Sequence, residues 1–362
     1  MASTPKFYQG SGPFSIHLKD ESRKICNCSI YAGFTRIHRT SVNKSGLVIG
    51  FLALVKGADW FVDSSSSLAG KFHISGVVIG LTIVAFGTSA PELAVSTFAA
   101  FSGSNEIALS NVVGSNIFNL LGVLGVCAMI HPLKVNRDIN QRDFPISIIA
   151  AVILIGTCMS VFHSHTFTGF DMNETVGIMS RSFGFFLLFL FVLYMAVLLF
   201  HAKQNPVKEE TRDETSVGKN MLFLISGLIF IIAGGQVVVN SAKEIAGFFG
   251  MSETLIGLTI VAVGTSLPEF VTSVVASQKG ETGIAVGNVV GSNIFNILFI
   301  LGLSATIHPL GVNFASFCDI VILIVCSTIS YLFALSKRRI SRQEGLIMIL
   351  SYVAIMAFAM VR

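Results

Sequence analysis

Charged residues are scarce in this sequence. Asp, Glu, Lys and Arg make up 12% of its 362 residues, whereas 52% are hydrophobic and the mean hydropathy is +0.76. A soluble domain carries about 25% charged residues, so this composition excludes a soluble globular protein and indicates a polytopic membrane protein in contact with the lipid bilayer. The net charge of +4 comes from the loops and does not indicate a nucleic-acid partner. Composition leaves the oligomeric state open.

Cysteine is scarce as well, and its spacing argues against two kinds of site. Four of the six cysteines fall in apolar segments, and no spacing is typical of a zinc site or of a disulfide framework. The pair Cys26 and Cys28 is isolated, so a bound metal is not expected there. We therefore expect no cofactor.

What the sequence does contain is a stretch that occurs twice, 177 residues apart. Residues Gly80 to Glu92 match residues Gly257 to Glu269 at 11 of 13 positions, and Asn111 to Asn119 match Asn288 to Asn296 at all nine. The tetrapeptide Ile-His-Pro-Leu that starts at Ile130 also returns at this offset. A repeat of this length determines the architecture of the whole chain.

Each copy places one glutamate beside a proline, among Thr, Ser and Gly, inside an apolar segment. These glutamates are Glu92 and Glu269. A carboxylate in the hydrocarbon region is costly and indicates a functional site. Proline removes a backbone donor and breaks the helix with the nearby glycine, which leaves carbonyl oxygens free to bind a cation. The two copies therefore predict one ion site built from two halves.

The apolar segments predict an all-α membrane protein with ten transmembrane helices. About 20 apolar residues span a bilayer, and ten segments meet this length. Their approximate limits are 46–68, 74–100, 106–130, 144–162, 180–201, 221–246, 252–277, 283–307, 314–336 and 343–361.

Ten segments give five helices to each copy. Because five is odd, the second copy enters the membrane upside down, which is the inverted repeat of many secondary transporters with a site near the midplane. We predict a first repeat over 46–201, a cytoplasmic linker over 202–220 and a second repeat over 221–362. Residues 1–45 form a polar tail, which is either disordered or loosely attached, or comes from a mis-assigned start.

The distribution of Lys and Arg predicts the orientation. If the first helix starts outside, the inner loops carry 13 of these residues and the outer side carries three. Positive residues concentrate on the cytoplasmic side, so both termini are expected outside the cytoplasm, in a protein of the plasma (inner) membrane. The seven cations of the tail point the other way, and a tail that stayed inside would reverse this orientation.

Inverted symmetry is expected to bring Glu92 and Glu269 face to face at the same depth. Without a cation the two carboxylates would repel each other, and with Ca²⁺ they form the anionic part of an oxygen cage that suits a hard cation. Neutral oxygens should complete the cage. The candidates are the hydroxyls of Thr88, Ser89, Thr265, Ser266, Ser115 and Ser292, the amides of Asn119 and Asn296, and the carbonyls of Ala85 and Ala262.

These polar residues also have a purely structural interpretation. A Ser or Thr in a membrane helix usually bonds to its own backbone, and small residues allow helices to pack closely. The duplicated context favours ligation for the two glutamates. It does not favour ligation for Asp59 and Asp63, whose counterparts are Gln236 and Asn240. We therefore expect the two aspartates to act at a helix end or interface.

The paired motifs Gly-Thr-Ser-x-Pro-Glu and Gly-Ser-Asn-Ile-Phe-Asn closely resemble the two alpha-repeats of the cation/calcium antiporter superfamily. Within it they resemble the prokaryotic sodium/calcium exchangers, over about residues 46–361. The resemblance implies ten transmembrane helices with both termini outside and Ca²⁺ between Glu92 and Glu269. It also implies flanking Na⁺ sites built from the Thr-Ser pairs, the motif serines and the carbonyls of Ala85 and Ala262.

The sequence departs from some members of that superfamily at Asn296, where they carry Asp. The pocket then has two formal negative charges instead of three. Members with Asn at this position resemble the potassium-independent exchangers, so K⁺ cotransport is not expected. The proton-coupled branches usually have different motifs around the glutamate.

The sequence therefore predicts a secondary antiporter that exports Ca²⁺ against inward Na⁺, and not an enzyme. The first and sixth segments, which share Gly50 with Gly227 and Gly57 with Gly234, are expected to slide across a fixed site.

Three other functions can be compared with this pattern. A carboxylate pair can also carry protons in a Ca²⁺/H⁺ antiporter. It could line a cation channel as well, although channels more often build the pore from several subunits. An intramembrane hydrolase needs a base beside its nucleophile, and no such residue is near Ser89 or Ser266 in sequence.

Overall fold

Helices make up nearly all of the described structure. A computed structural model describes residues 18–103, 105–157, 172, 174–206, 216–249 and 262–361, with only the backbone over 18–44, 105–106, 247–248, 262 and 360–361. Most of the predicted tail and residues 207–215 of the predicted linker therefore lie outside the described side chains. In chain order the elements are α1 (Leu18–Phe72), α2 (Gly76–Thr88), α3 (Ala90–Phe101), α4 (residues 105–130), β1 (Leu133–Lys134), α5 (residues 139–155), β2 (Thr175–Met179), α6 (Arg181–Gln204), α7 (Val217–Phe248), α8 (Ala262–Thr265), α9 (Leu267–Gln278), α10 (Thr282–Ile307), β3 (Leu310–Asn313), α11 (Phe314–Leu335), β4 (Arg339–Ile340) and α12 (Arg342–Val361).

Most of the predicted spans are present as helices. In the described ranges, seven helices are long and apolar enough to cross a bilayer, and the bent pair α2–α3 makes an eighth. Helices suit this environment because they satisfy their own backbone hydrogen bonds where water is absent. Only parts of the fourth and seventh predicted spans are described, in α5 and in α8 with α9. The count of ten therefore stays a prediction.

Two of the helices are broken next to a proline, as the motifs predict. The axes of α2 and α3 differ by 50°, and the break falls at Ser89, whose ψ of 10° is not helical. Pro91 follows in the first turn of α3, where its missing N–H does not matter. In the second copy Ser266 has a ψ of 7° and Pro268 lies in the first turn of α9.

Helices α4 and α10 form the centre of the molecule. Their most apolar stretches are 78% and 94% buried, whereas that of α12 is 11% buried. Each central helix widens into π-helical turns, over Phe118–Val123 in α4 and over Phe295–Leu301 in α10. Turns of this kind are rare and occur often at functional sites. Both helices end immediately before a His-Pro pair, as the sequence predicts.

The element bounds repeat with the offset seen in the sequence. Helix α9 begins and ends 177 residues after α3, and α10 begins 177 residues after the start of α4. The offset falls to 161 between the starts of α6 and α12 because the connection before α6 is longer. The counterpart of Gly80–Val84, residues 257–261, lies outside the described residues. Opposite membrane orientation of the two copies remains a prediction.

Helices α1 and α7 pack against each other through glycines. A Cβ added at Gly57 would lie 2.8 Å from the carbonyl oxygen of Gly227, and one added at Gly234 would lie 2.8 Å from that of Gly50. Because Gly50 faces Gly234 and Gly57 faces Gly227, the two helices run antiparallel. The predicted glycines therefore bring α1 and α7 together as a pair.

Two short antiparallel ladders join the halves at their loops. Strand β1 pairs with β4, with Leu133 opposite Ile340, and β2 pairs with β3, with Met179 opposite Leu310. Each ladder contains one strand from each copy. The ladders therefore link the peripheral loops of one half to those of the other.

Candidate ion-binding site

Glu92 and Glu269 are completely buried, each in the first turn of the helix that follows a break. The partial positive charge at a helix N-terminus favours a carboxylate in this position. Among the described residues there are four side-chain ion pairs, and none of them includes either glutamate. Burying a charge without a partner is costly, so packing alone does not account for two such residues.

Each glutamate is held by a serine of the other copy. The Ser266 hydroxyl donates to Oε1 of Glu92 at 2.9 Å, and the Ser89 hydroxyl donates to Oε1 of Glu269 at 2.7 Å. The residue at the break of one copy thus contacts the carboxylate of the other. The structure brings these four predicted residues together where the two copies meet.

The two predicted threonines also reach across to the other copy. The hydroxyl of Thr88 lies 3.1 Å from Oδ1 of Asn288, and that of Thr265 lies 3.5 Å from Oδ1 of Asn111. The Thr88 hydroxyl is also 3.1 Å from the carbonyl oxygen of Val84 in its own helix. This is the backbone contact that a helical threonine commonly makes.

Asn111 and Asn288 connect these threonines to the main chain of the glutamates. The amide of Asn111 donates to the carbonyl of Glu92 at 3.4 Å and to the Ser96 hydroxyl at 2.9 Å. The amide of Asn288 makes the same two contacts, with Glu269 at 3.4 Å and with Ser273 at 2.9 Å. Each asparagine therefore fixes the backbone around one buried carboxylate.

The predicted carbonyl ligands are not placed at the helix breaks. The carbonyl of Ala85 accepts the backbone N–H of Ser89 at 3.1 Å, so the helix is still closed there and opens one turn later, at Ser89. The π-helical turns over Gly80–Val84 end just before Ala85. In the second copy Ala262 is the first residue of α8. Ligation by either carbonyl remains a prediction.

Six of the predicted ligands share one property. Each has a buried side-chain oxygen that forms no hydrogen bond with the described residues, and in a folded protein such atoms are few. On α4 and α10 these residues are four positions apart, so each pair lies on one helical face. The oxygens are Oε2 of Glu92 and Glu269, Oγ of Ser115 and Ser292, and Oδ1 of Asn119 and Asn296.

Sequence reasoning did not single out four of the asparagines that support this arrangement. They are Asn111 and Asn288, described above, and Asn116 and Asn293, which bond to each other's main chain. The signal was present, because all four lie in the nine-residue block that is identical in both copies. A buried amide in an apolar helix needs partners, which could have pointed to them.

The two aspartates of α1 form a separate, more exposed cluster. Lys279, at the end of α9, pairs with Asp59 and with Asp63, the latter at 2.6 Å, and the Ser66 hydroxyl donates to Glu281 at 2.9 Å. Partial burial of the Lys279 amine lowers its pKa, but the hydrogen bonds and charges of the aspartates outweigh burial and hold the pKa above its usual value. This places the aspartates at the interface between α1 and the turn after α9.

Comparison with known proteins identifies the family. The model of the family described as sodium/calcium exchanger protein matches residues 44–200 and 219–361. The chain belongs to the sodium/calcium exchanger family. Among its relatives, the sodium/calcium exchanger MaX1 of Methanosarcina acetivorans is 34% identical over 340 residues, which cover 87% of this chain and 97% of MaX1. Inner membrane protein YrbG of Escherichia coli is 36% identical over 310 residues, or 83% and 90% of the two chains.

The fold of this exchanger-family chain matches a solved structure. The sodium-calcium exchanger NCX_Mj, soaked with 2.5 mM Na⁺ and 0.1 mM Ca²⁺, is 31% identical and superimposes with a TM-score of 0.73, over 89% of this chain and 99% of NCX_Mj. The chain is thus an all-helical, multi-pass integral membrane protein of a transporter family, and not an enzyme. The family transports Ca²⁺ and Na⁺ and has no known cofactor.

Proposed function

We propose that this chain is a secondary antiporter that exchanges Na⁺ for Ca²⁺ across the plasma membrane. Ca²⁺ is held between Glu92 and Glu269, and the predicted Thr, Ser, Asn and carbonyl oxygens complete the Ca²⁺ and Na⁺ sites. The architecture that goes with this proposal is ten helices in two inverted five-helix repeats, with the linker over 202–220 in the cytoplasm and both termini outside.

The set of buried oxygens without hydrogen-bond donors carries this proposal. Both glutamates have one carboxylate oxygen fixed by a serine and a second oxygen that accepts no hydrogen bond from the described residues. Together with the matching oxygens on α4 and α10, this makes six acceptors at predicted positions. Ca²⁺ takes about six to eight oxygen ligands, so the number and chemistry of these atoms suit it.

The charge of the site favours exchange over leak. Two carboxylates are neutralised by one Ca²⁺ or by two Na⁺, whereas a site without cations would leave both charges buried and unpaired. Breaking a buried charge pair costs about 3–5 kcal/mol. A protein that changes conformation only with its carboxylates neutralised therefore couples the two ions, since neither crosses without replacement by the other.

The helices proposed to move during alternating access are α1 and α7. Their close contact at Gly50 with Gly234 and at Gly57 with Gly227 joins them, so they are expected to slide together over the helices that hold Glu92 and Glu269. Lys279, in the turn after α9, contacts α1 through half-exposed ion pairs and through a hydrogen bond to the main-chain carbonyl of Asp59 at 3.2 Å. Pairs of this kind contribute about 0–1 kcal/mol and can break and re-form during transport.

The proposal is tested by uptake of radioactive calcium into proteoliposomes that contain the purified protein. Vesicles loaded with Na⁺ are compared with vesicles loaded with K⁺ and with acid-loaded vesicles, all in Na⁺-free medium. Glu92→Gln and Glu269→Gln are measured in parallel. The control is Glu244→Gln, which removes an exposed carboxylate of α7.

The expected result is uptake that requires the outward Na⁺ gradient, is lost in Glu92→Gln and in Glu269→Gln, and persists in Glu244→Gln. Uptake driven by the pH gradient alone would show that Ca²⁺ is exchanged for H⁺ and not for Na⁺. Uptake that ignores all gradients would make the protein a channel. Full activity in either buried glutamate variant would show that Ca²⁺ is not held between Glu92 and Glu269.

A further inference from the structure

Four asparagines form a closed set of hydrogen bonds between the two central helices. The side-chain NH₂ of Asn116 donates to the main-chain carbonyl of Asn293 at 3.2 Å, and that of Asn293 donates to the carbonyl of Asn116 at 3.3 Å. The NH₂ of Asn296 donates to Oδ1 of Asn116 at 3.0 Å, and that of Asn119 to Oδ1 of Asn293 at 3.2 Å. All four side chains are at most 1% exposed.

The two main-chain carbonyls determine which way every amide in this set points. An amide can usually be turned over, because its O and N atoms have nearly the same shape. A carbonyl oxygen only accepts hydrogen bonds, so the group of Asn116 that faces Asn293 must be the NH₂. Its Oδ1 then faces Asn296, which must present its own NH₂ in return.

These hydrogen bonds fix the amide orientation of the two predicted ligands, Asn119 and Asn296. With its NH₂ directed at Asn116, Asn296 has its Oδ1 on the other side, and the same reasoning applies to Asn119 and Asn293. Both of these Oδ1 atoms are buried and accept no hydrogen bond from the described residues. They are therefore presented as acceptors, which a cation can use, and cannot be exchanged for NH₂ groups, which would repel it.

We infer that Asn116 and Asn293 are positioning residues of the ion site, each of which fixes the amide of the partner ligand on the opposite helix. Asn116 acts through Asn296, and Asn293 acts through Asn119. Asn116 and Asn293 are not assigned as ligands, because the Oδ1 of each already accepts a hydrogen bond from the predicted ligand on the opposite helix. This inference rests on the proposed function, since it assumes that Asn119 and Asn296 contact transported ions.

The test is a set of double-mutant cycles, in which residues that share one interaction show non-additive effects. Asn116→Leu, Asn293→Leu, Asn119→Ala and Asn296→Ala are measured alone and in the four cross-helix and same-helix pairs. The readout is the KM for Ca²⁺ in Na⁺-driven uptake, with kcat recorded separately. Residues that support a metal ligand typically change affinity about 10–100-fold.

The expected result is that Asn116→Leu raises KM about tenfold and adds nothing further to Asn296→Ala, while its effect multiplies with that of Asn119→Ala. Asn293→Leu should show the reverse pattern, with no further effect on Asn119→Ala. Effects that multiply in all four pairs would assign these asparagines to general helix packing and overturn the inference. A wild-type protein without Na⁺-driven uptake would instead refute the proposed function.

A second variant keeps the test valid if leucine prevents folding. Asn116→Ala and Asn293→Ala remove the same hydrogen bonds with less bulk. Stabilisation of the detergent-purified protein by Ca²⁺, read as the shift in Tm, replaces uptake for variants that do not reconstitute. The same pattern across the pairs is expected, and Tm shifts that fall independently at every position would contradict it.

Discussion

The two copies of the repeat are alike around the glutamates and unlike along α1 and α7, where Asp59 and Asp63 correspond to Gln236 and Asn240. Near the centre the side-chain contacts of the glutamates have counterparts, as in the serine hydrogen bonds to Glu92 and Glu269 at 2.9 and 2.7 Å. At the periphery the copies diverge, since Asp59 and Asp63 pair with Lys279 whereas Gln236 bonds to Asn240 at 3.1 Å.

This difference shows that the residues around the glutamates must match between the two copies, whereas residues farther away need not. A single ion between two half-sites requires matched oxygens from each copy, so a change in one copy cannot be balanced in the other. The cluster around Lys279 joins Asp59 and Asp63 of the first copy to Lys279 of the second, and the residues at the equivalent positions carry no charge. It can therefore set the stability of one conformation without altering the site.

The largest effect is expected from shortening either glutamate. Glu92→Asp and Glu269→Asp keep the charge but withdraw the carboxylate by one methylene from its serine. A displacement of about 1 Å in a functional group can cost about 100-fold in rate, and the equivalence of the copies predicts similar losses for both. Initial rates of Na⁺-driven Ca²⁺ uptake measure this, with exposed Glu244→Asp as the control. A tenfold difference in uptake rate between the two variants would show that the two copies are not equivalent at the glutamates.

A second prediction concerns the glycines between α1 and α7. Gly57→Val and Gly234→Val each place a Cβ 2.8 Å from a backbone oxygen of the other helix, and overpacking typically costs about 1–3 kcal/mol. Both should lower the melting temperature of the purified protein by similar amounts. Gly218→Val is the control because no described atom lies within 4 Å of its added Cβ. Unchanged melting in one variant would show that the helices can separate there.

A smaller effect is expected at the asparagines that hold the backbone of the glutamates. Asn111→Ala and Asn288→Ala leave every predicted ligand in place but remove hydrogen bonds to the Glu92 and Glu269 carbonyls. We expect Ca²⁺ affinity to fall about tenfold in each, as for partners of metal ligands. Calcium titration of Na⁺-driven uptake measures this, and the exposed Asn205→Ala serves as control. An unchanged KM in both would reduce their role to packing.

The smallest effect should come from the ion pairs between the copies that the repeat does not duplicate. Lys279→Gln removes contacts between partly exposed groups, which are worth about 0–1 kcal/mol. The uptake rate should change less than about fivefold, and the change should shrink at high ionic strength because salt screens exposed charges. Exposed Lys203→Gln is the control. A salt-independent loss would show that Lys279 acts in another way.

The sequence alone predicts much of the fold because membrane spans and repeats are local patterns. Lengths of apolar runs indicate the spans, and Pro91 and Pro268 mark the broken helices. The helix opens at Ser89, one turn after the predicted carbonyl ligand Ala85. A proline removes the hydrogen bond to the carbonyl four residues earlier, which for Pro91 is the carbonyl of Gly87 and not that of Ala85. The π-helical turns have no comparable local signal.

The pairing between copies could not be predicted from spacing. Ser89 and Ser266 each lie three residues before the glutamate of their own copy, which suggests contact within one helix. The structure pairs each with the other glutamate because the chain is bent between them. The hydrogen bonds among the asparagines of α4 and α10 could not be predicted for the same reason. They join residues 174 to 180 positions apart, and such contacts depend on how the helices cross.

The exchange of serines between the copies also limits how such a protein could be divided. Each half of this chain contains one glutamate and the serine that donates a hydrogen bond to the glutamate of the other half. Neither half alone therefore contains both a glutamate and its serine partner. A gene encoding a single copy would yield a usable site only if two of its products associated in opposite orientations. Fusion of the two copies into one chain makes their stoichiometry one to one, whatever the level of expression.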